Sequence, residues 1–365
     1  MKFCIVLSTR PEIIKLASFI KILKKKKENF FLVNTNQHYI KIMSKVFFNF
    51  FNIPKPKYNF KASNSSYVNF FSKSIKEIEK ILIKEKPNYL IVQGDTNTAL
   101  VGCLACSIYN RKHTKDKKIK IVHIEAGLRS FDENMPEEIN RKIIDTLSDI
   151  LFVPTKFDLE NLKNENLLKN KKILKTGNTI TDVVKSNLTL LKKNNIIKKF
   201  KVKKRNYFLA TLHRPESVDN VVNFKKIIFT FNKISNLYKK KIIFPLHPRT
   251  EKIFNKLKIK INKNIIITKP LEYTDFLYLV KNCRIIFTDS GGIQEECSIL
   301  GVPCITTRTT TERQISVKSR INILTGYDQR KILKAVKKFY NIKLKKSNLF
   351  GDGRAAERIY KFLKK

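Results

Sequence analysis

The chain has 365 residues, 42% of them hydrophobic, and a formal net charge of +45. That length favours two domains, each able to bury its own core, and no apolar run approaches the ~20 residues of a membrane-spanning helix. The charge is spread along the chain and is mostly lysine, the pattern of a compositional bias, so a specific nucleic-acid-binding protein is set aside while capture of an anionic substrate is assisted.

The N-terminal apolar stretch FCIVLS is too short for a secretory h-region and has no small-residue cleavage site after it. It reads as a first buried strand, and the expected location is cytoplasmic. Pro11 then opens an amphipathic helix over EIIKLASFIKILKK. FFLVNT is a strand, residues 66–84 a helix, NYLIVQGD a strand, TALVGCLACSIYN a helix, IKIVHIEAG a strand, EEINRKIIDTLSDI a helix and LFVPT a strand. Apolar strands separated by helices imply a parallel sheet covered on both faces. The alternation restarts after TGNTITDVV with the strands NYFLATLH, KIIFPLH, NIIIT, CRIIFTD and VPCITT. The expectation is an α/β chain of two Rossmann-like, doubly wound domains, residues 1–180 and 181–351, with Leu190–Lys204 as a linker.

Six cysteines are present. Cys103 and Cys106 form a C-x-x-C, but inside a small apolar helical run with no second Cys/His pair nearby, so free buried thiols are expected rather than zinc or redox chemistry. The five histidines show no metal-ligand spacing, and no metal is expected. His38 and His123, each alone at a strand end, read either as structural groups or as ligands or bases.

Nearly every strand ends in polar residues, and in open α/β sheets ligands bind beyond the carboxyl ends of the strands. In TDSGGIQEE a strand runs through Ser290, Gly291 and Gly292 into a helix, whose N-terminus favours a phosphate, the alternative being a tight strand–helix turn with no ligand. Glu296, about a turn further on, suits ribose hydroxyls. There is no G-x-G-x-x-G after a strand and no P-loop, so neither a nicotinamide site nor an ATPase site is supported. Cations stand at other strand ends: Arg10, Lys15, His213, Arg214, His247, Arg249 and Arg313. Together they suit a diphosphate. Asp95 and Glu125 end strands, and Glu137 and Glu138 open a helix with Arg141 one turn beyond Glu137. Carboxylates gathered beside an anion site can supply acid and base, although Glu137 reads equally as a helix cap paired with Arg141.

The motifs STRPEIIKLA, TNQHY, VQGDTNTAL, HIEAGLRSFDENMPEEINR, TGNTITDVV, TLHRPESVDN, PLEYTDF, TDSGGIQEECSILGVPCIT, TTTERQ and GDGRAAERI, in that order, resemble the non-hydrolysing UDP-N-acetylglucosamine 2-epimerases from about residue 3 to residue 360. The resemblance implies a GT-B fold with the ligand in a central cleft, and a C-terminal helix, residues 352–365, returning to the first domain. It implies conversion of UDP-GlcNAc to UDP-ManNAc through a glycal-like intermediate, a step in supplying cell-surface polysaccharide, with no cofactor. Matched position by position, it makes Asp95, Glu125 and Glu137 acid/base carboxylates and His213 the essential histidine near the diphosphate. Arg10 and Lys15 become binding residues of the first domain, with Arg141 supporting Glu137. Phe276 stands beside the uracil, Ser290, Gly291 and Gly292 at the phosphates, Glu296 at the ribose, and Arg313 at a further substrate contact. A homodimer is the expected assembly.

Two departures carry expectations of their own. Ser8 replaces the usual glycine of GTRPE and alters the first turn around Arg10. Gln37 and His247 fit the family's allosteric site, but Ile40 stands where a polar residue is common and residues 59–70 contain no Arg, so weak or absent activation by substrate is expected. TLHRPE and GLRSFD also recur in relatives that act on UDP-diacetamido uronic acids, which leaves that substrate as an alternative. Hydrolysing 2-epimerases, which usually lack intact TRPE and MPEE segments, and GT-B glycosyltransferases rank lower.

Overall fold

The computed structural model describes residues 1–37, 47–61, 66–115, 117–189, 191 and 195–365; His38 and Ile40 lie outside them, as do parts of the 59–70 segment and of the expected linker. The chain folds as two compact units. One is Met1–Val183 together with Gly351–Lys365, the other Val184–Phe350.

The first unit contains a seven-stranded, all-parallel sheet. Its strands in chain order are β1 (Lys2–Leu7), β2 (Asn29–Asn34), β3 (Tyr58–Asn59), β4 (Tyr89–Gln93), β5 (Lys120–Ile124), β6 (Ile150–Val153) and β7 (Lys172–Lys175). In space they run β3-β2-β1-β4-β5-β6-β7. Cys4, Val6, Leu90, Val92 and Ile121 from the central strands form one core with Ile78, Ile81 and Leu82 and with Ala99, Cys103 and Cys106 from covering helices. A sheet buried on both faces requires such near-continuous apolar strands. Cys103 and Cys106 are part of this packing: all six cysteines are free and buried, and burial pushes the Cys103 and Cys106 thiols upward.

The second unit repeats the plan with β8 (Tyr207–Thr211), β9 (Lys241–Pro245), β10 (Ile265–Thr268), β11 (Ile285–Thr288), β12 (Cys304–Thr306) and β13 (Asn322–Leu324). They are parallel in the order β10-β9-β8-β11-β12-β13. Phe208, Phe231, Phe244 and Phe287 centre its core. In both sheets the winding reverses beside the first strand, between β1 and β4 and between β8 and β11. That reversal opens a crevice at the carboxyl ends where ligands bind in such sheets.

The last helix, Ala355–Leu363, belongs to the first unit. Asp182 caps it, accepting from the Ala355 and Ala356 amides at 3.0 and 2.8 Å. Arg358 reaches the Thr176 carbonyl at 3.0 Å, and the Tyr360 hydroxyl donates to Glu28 at 2.7 Å. Gly351, at φ +108°, brings the chain so close to Gly177 that a Cβ there would stand 3.0 Å from the Gly177 Cα.

Candidate active site

In the first unit the site grows from the ends of β1, β4 and β5. The turn after β1 is closed by Glu12. Its carboxylate is buried and accepts from the Ser8 and Thr9 amides at 2.9 and 2.6 Å, from the Thr9 hydroxyl at 2.8 Å and from the Thr96 hydroxyl at 2.6 Å. Burial raises its pKa, opposed by these four donors. Ser8 fits here because its backbone has no positive φ, and its hydroxyl accepts the Gln37 amide at 2.7 Å, which ties the end of β1 to the chain beyond β2. The Gln37 side chain is taken up by Thr98, whose amide and hydroxyl donate to it at 3.0 and 2.9 Å.

Arg10 opens the helix Arg10–Lys25, with its guanidinium 4.7 Å from the centre of the Phe47 ring. Lys15, on the next turn, is buried against Glu125, with Nζ 2.6 and 2.7 Å from the two carboxylate oxygens. Gln93, the last residue of β4, also donates to Glu125, as does Asn178 at 3.3 Å. Glu125 follows β5 with φ +76°, a left-handed conformation costly for a side chain larger than glycine. Its amide and that of Ala126 both donate to the Phe152 carbonyl at 3.0 Å, which holds the kink.

Asp95 stands on the turn after β4, its carboxylate 2.9 Å from Nε and from Nη2 of Arg141. Asn140 donates to the Asp95 carbonyl at 2.9 Å. Arg141 also forms an ion pair with Glu138, which is fully buried and accepts from the Ser130 amide and hydroxyl, both at 2.9 Å, and from the Phe131 amide at 3.1 Å. Sequence spacing alone pairs Arg141 with Glu137. In the structure Arg141 bridges Glu138, three residues earlier on the buried face of the helix, to Asp95. Glu137 is half-buried in the first turn of that helix, Pro136–Leu147.

Beneath this layer His123 is fully buried. Its Nδ1 is 2.7 Å from Asp145, and its Nε2 is 2.9 Å from the carbonyl of Gly94, the residue before Asp95. Asp145 further accepts from the Gly127 amide at 3.1 Å and from Arg129 at 2.8 Å, and Arg129 continues to Glu165. Burial alone would raise the Asp145 pKa; His123 and Arg129 reverse that and lower it. His123 is therefore a structural brace of the Asp95 turn.

In the second unit His213 follows β8. Its Nδ1 is 3.1 Å from Asp289, which also accepts the His213 and Arg214 amides at 2.8 and 2.9 Å. Asp289 is fully buried, which would raise its pKa, yet His213 and the two amides bring it down to about 2. Ser290 stands at the N-cap position of the helix Gly291–Leu300, without a capping hydrogen bond from its side chain. A Cβ on Gly291 would collide with the Glu312 carboxylate, whereas Gly292 faces open space with only Ser290 Oγ at 4.0 Å. Gly291 is thus demanded by protein packing as well as by any ligand. Glu296 and Phe276 are buried in this unit, and Glu296 accepts the Tyr273 hydroxyl at 3.2 Å. Arg313 lies 2.5 Å from Glu295 and 3.5 Å from Glu312. His247 caps its own helix, Pro248–Leu257, by accepting the Arg249 amide at 3.2 Å, and its ring centre lies 5.6 Å from that of His213.

Among the described residues no group of three or more His, Cys, Asp and Glu is placed to hold a metal ion, and no helix is long and apolar enough to cross a membrane. The structure brings Lys15 to Glu125 and Arg141 to Asp95, and it sets His213 and Ser290 on neighbouring strand ends. Asp289, Gln93 and Asn178 were not singled out from the sequence. Asp289 lies within the TDSGG motif, but that it orients His213 becomes visible only when β8 and β11 pair.

Parallel, doubly wound sheets with ion-paired carboxylates at one set of strand ends and a histidine beside a helix N-terminus at the other define a GT-B-type enzyme of two Rossmann-like units. Residues 21–364 match the family model described as UDP-N-acetylglucosamine 2-epimerase. The UDP-N-acetylglucosamine 2-epimerase of Methanocaldococcus jannaschii is 46% identical over 370 residues, covering 100% of this chain and 99% of that one. Its crystal structure in complex with UDP-GlcNAc and UDP matches with a TM-score of 0.91 over 100% of this chain and 99% of that one. The UDP-2,3-diacetamido-2,3-dideoxy-D-glucuronate 2-epimerase of Pseudomonas aeruginosa is 34% identical, covering all of both chains. This chain belongs to the UDP-N-acetylglucosamine 2-epimerase family.

Proposed function

We propose that this protein inverts C2 of a UDP-2-acetamido sugar, interconverting UDP-GlcNAc and UDP-ManNAc. The observation that carries the reading is the pair of ion-paired carboxylates, Glu125 with Lys15 and Asp95 with Arg141, at the adjacent ends of β5 and β4. An acid and a base on neighbouring strand ends suit a reaction that takes a proton from carbon and returns it to the other face. One carboxylate removes the C2 proton while the C1–O bond breaks and its electron pair leaves with UDP, giving a C1=C2 double bond. UDP then adds back at C1 as a proton is delivered to the opposite face of C2. Glu137, at the start of the neighbouring helix, is a third candidate for this transfer.

In this reading Ser290, Gly291 and Gly292 hold the diphosphate at the helix N-terminus, with His213, oriented by Asp289, donating to it. Arg10 and Arg313 add positive charge, Glu296 takes the ribose hydroxyls and Phe276 lies beside the uracil. The enzyme works in the cytoplasm as a homodimer, feeding cell-surface polysaccharide synthesis. UDP-GlcNAc is preferred over a diacetamido uronic acid because the relative named for the former is the more similar, 46% against 34% identical.

The test is incubation with UDP-GlcNAc in deuterated water, followed at C2 by NMR. Deuterium at C2 together with a UDP-ManNAc pool is the expected result. Free UDP and free sugar would indicate hydrolysis instead, and turnover of the diacetamido uronic acid alone would shift the substrate. Asp95→Asn should abolish exchange while leaving UDP affinity nearly unchanged; surviving activity would remove Asp95 from the proton-transfer set.

A further inference from the structure

Phe131 combines two features that oppose stability. Its backbone lies at φ +57°, in the left-handed region that an aromatic residue seldom adopts, and its side chain is 61% exposed. Its neighbours behave differently. Arg129 is fully buried between Asp145 and Glu165, and Ser130 is buried with its amide and hydroxyl both bound to Glu138. The Phe131 amide donates to the other oxygen of Glu138 at 3.1 Å, and the loop beyond is closed by the Met135 amide on the Asp132 carbonyl at 3.0 Å. The turn is therefore held on both sides, and the conformation that turns the ring to solvent is imposed by the buried Glu138.

The same carboxylate carries the connection to the site. Glu138 is ion-paired with Arg141, whose Nη1 is 3.5 Å from Ser130 Oγ and whose Nε is 2.9 Å from Asp95. Phe131 thus stands one residue away from a rigid Ser130–Glu138–Arg141–Asp95 chain. Strain maintained at a position where glycine would relieve it, on a ring left largely in water, marks a residue kept for a ligand.

We infer that Phe131 is a specificity-determining residue that contacts the acetamido-bearing pyranose of the substrate. An aromatic face matches the C–H-rich face of a pyranose and the methyl of its N-acetyl group, and it offers nothing to a diphosphate. The inference rests on the proposed C2 chemistry at Asp95 for its choice of ligand. Glu138 and Arg141 act in it as positioning residues, fixing the loop and Asp95 together.

The experiment uses the full chain and the variants Phe131→Gly and Phe131→Tyr, with UDP-GlcNAc and UDP titrated separately by calorimetry and C2 exchange followed in the same samples. Phe131→Gly should unfold at the same temperature as the wild type or higher, because glycine accepts φ +57° without strain. Its affinity for UDP-GlcNAc should fall about tenfold while its affinity for UDP stays within about twofold, and Phe131→Tyr should bind both as the wild type does. Equal UDP-GlcNAc affinity in wild type and Phe131→Gly, or a parallel loss of UDP affinity, would overturn the inference. If the wild type binds UDP-GlcNAc with this selective dependence yet shows no C2 exchange, the epimerase reading falls and the Phe131 contact stands.

Discussion

Replacing Lys15 by methionine keeps the length of the side chain and removes its charge. Glu125 then becomes a buried carboxylate without its cation, and breaking a buried pair in this way costs about 3–5 kcal/mol. Gln93 and Asn178 still donate to Glu125, and hydrogen bonds to a charged group offset part of that loss, which lowers the expected cost to about 2–3 kcal/mol. For a folding unit of this size each kcal/mol moves the midpoint by about 2–4 °C, so thermal unfolding followed by circular dichroism should shift down by on the order of 5–10 °C. Glu125→Gln in the same background removes the stranded charge. The double variant should therefore recover to within about 1 kcal/mol of the wild type, giving a strongly non-additive cycle. A Lys15→Met variant within about 0.5 kcal/mol of the wild type, or single costs that simply add, would refute a Lys15–Glu125 pair as the electrostatic centre of this site.

Other outcomes follow from single contacts. Asp289 at about 2 instead of its ordinary 3.8 contributes about 2.5 kcal/mol that is present at neutral pH and lost as pH falls from about 4 to 2; urea titrations across that range should show the loss in the wild type and a flatter profile in Asp289→Asn. Gly291→Ala drives a methyl into Glu312 and should cost about 1–3 kcal/mol, whereas Gly292→Ala meets open space and should be neutral or stabilising by up to about 1 kcal/mol in a helix; paired denaturation curves compare the two. Asp182→Ala uncaps the last helix and should cost about 1–2 kcal/mol, read as faster amide exchange across Ala355–Leu363 than in the wild type.

The central strands were legible because burial on both faces leaves a continuous apolar run, as in FCIVLS and CRIIFTD. The strands that escaped, β3, β7 and β13, are all at sheet edges, where one side is open and the sequence need not be apolar: β7 is KILK, and β3 spans two residues. The same limit applies to the site. Asp95, Glu125 and the TDSGG turn declare themselves by standing at strand ends, a position that linear sequence marks. Which cation each carboxylate meets is decided by distant backbone. Arg141 meets Glu138 as well as Asp95 because the burial of the whole helix sets its rotation, and Lys15 reaches Glu125 across 110 residues. Nothing in the letters of GLRSFD announces that Phe131 takes a left-handed backbone, since that follows from the amides Glu138 collects.

The helix Ala355–Leu363 makes the second unit an insertion within the first. On the ribosome, Asp182 and the carbonyl of Thr176 emerge long before the helix they will hold. At about 5–20 residues per second, synthesis of the intervening segment Val184–Phe350 takes on the order of ten to thirty seconds. Through that interval the amino-terminal sheet is complete in its strands, while the groove that takes Ile359 and Leu363 stays open. The nascent chain therefore passes through a state in which the later unit can fold first and the earlier one must wait for its last nine-residue helix, a window in which a chaperone has an apolar surface to hold.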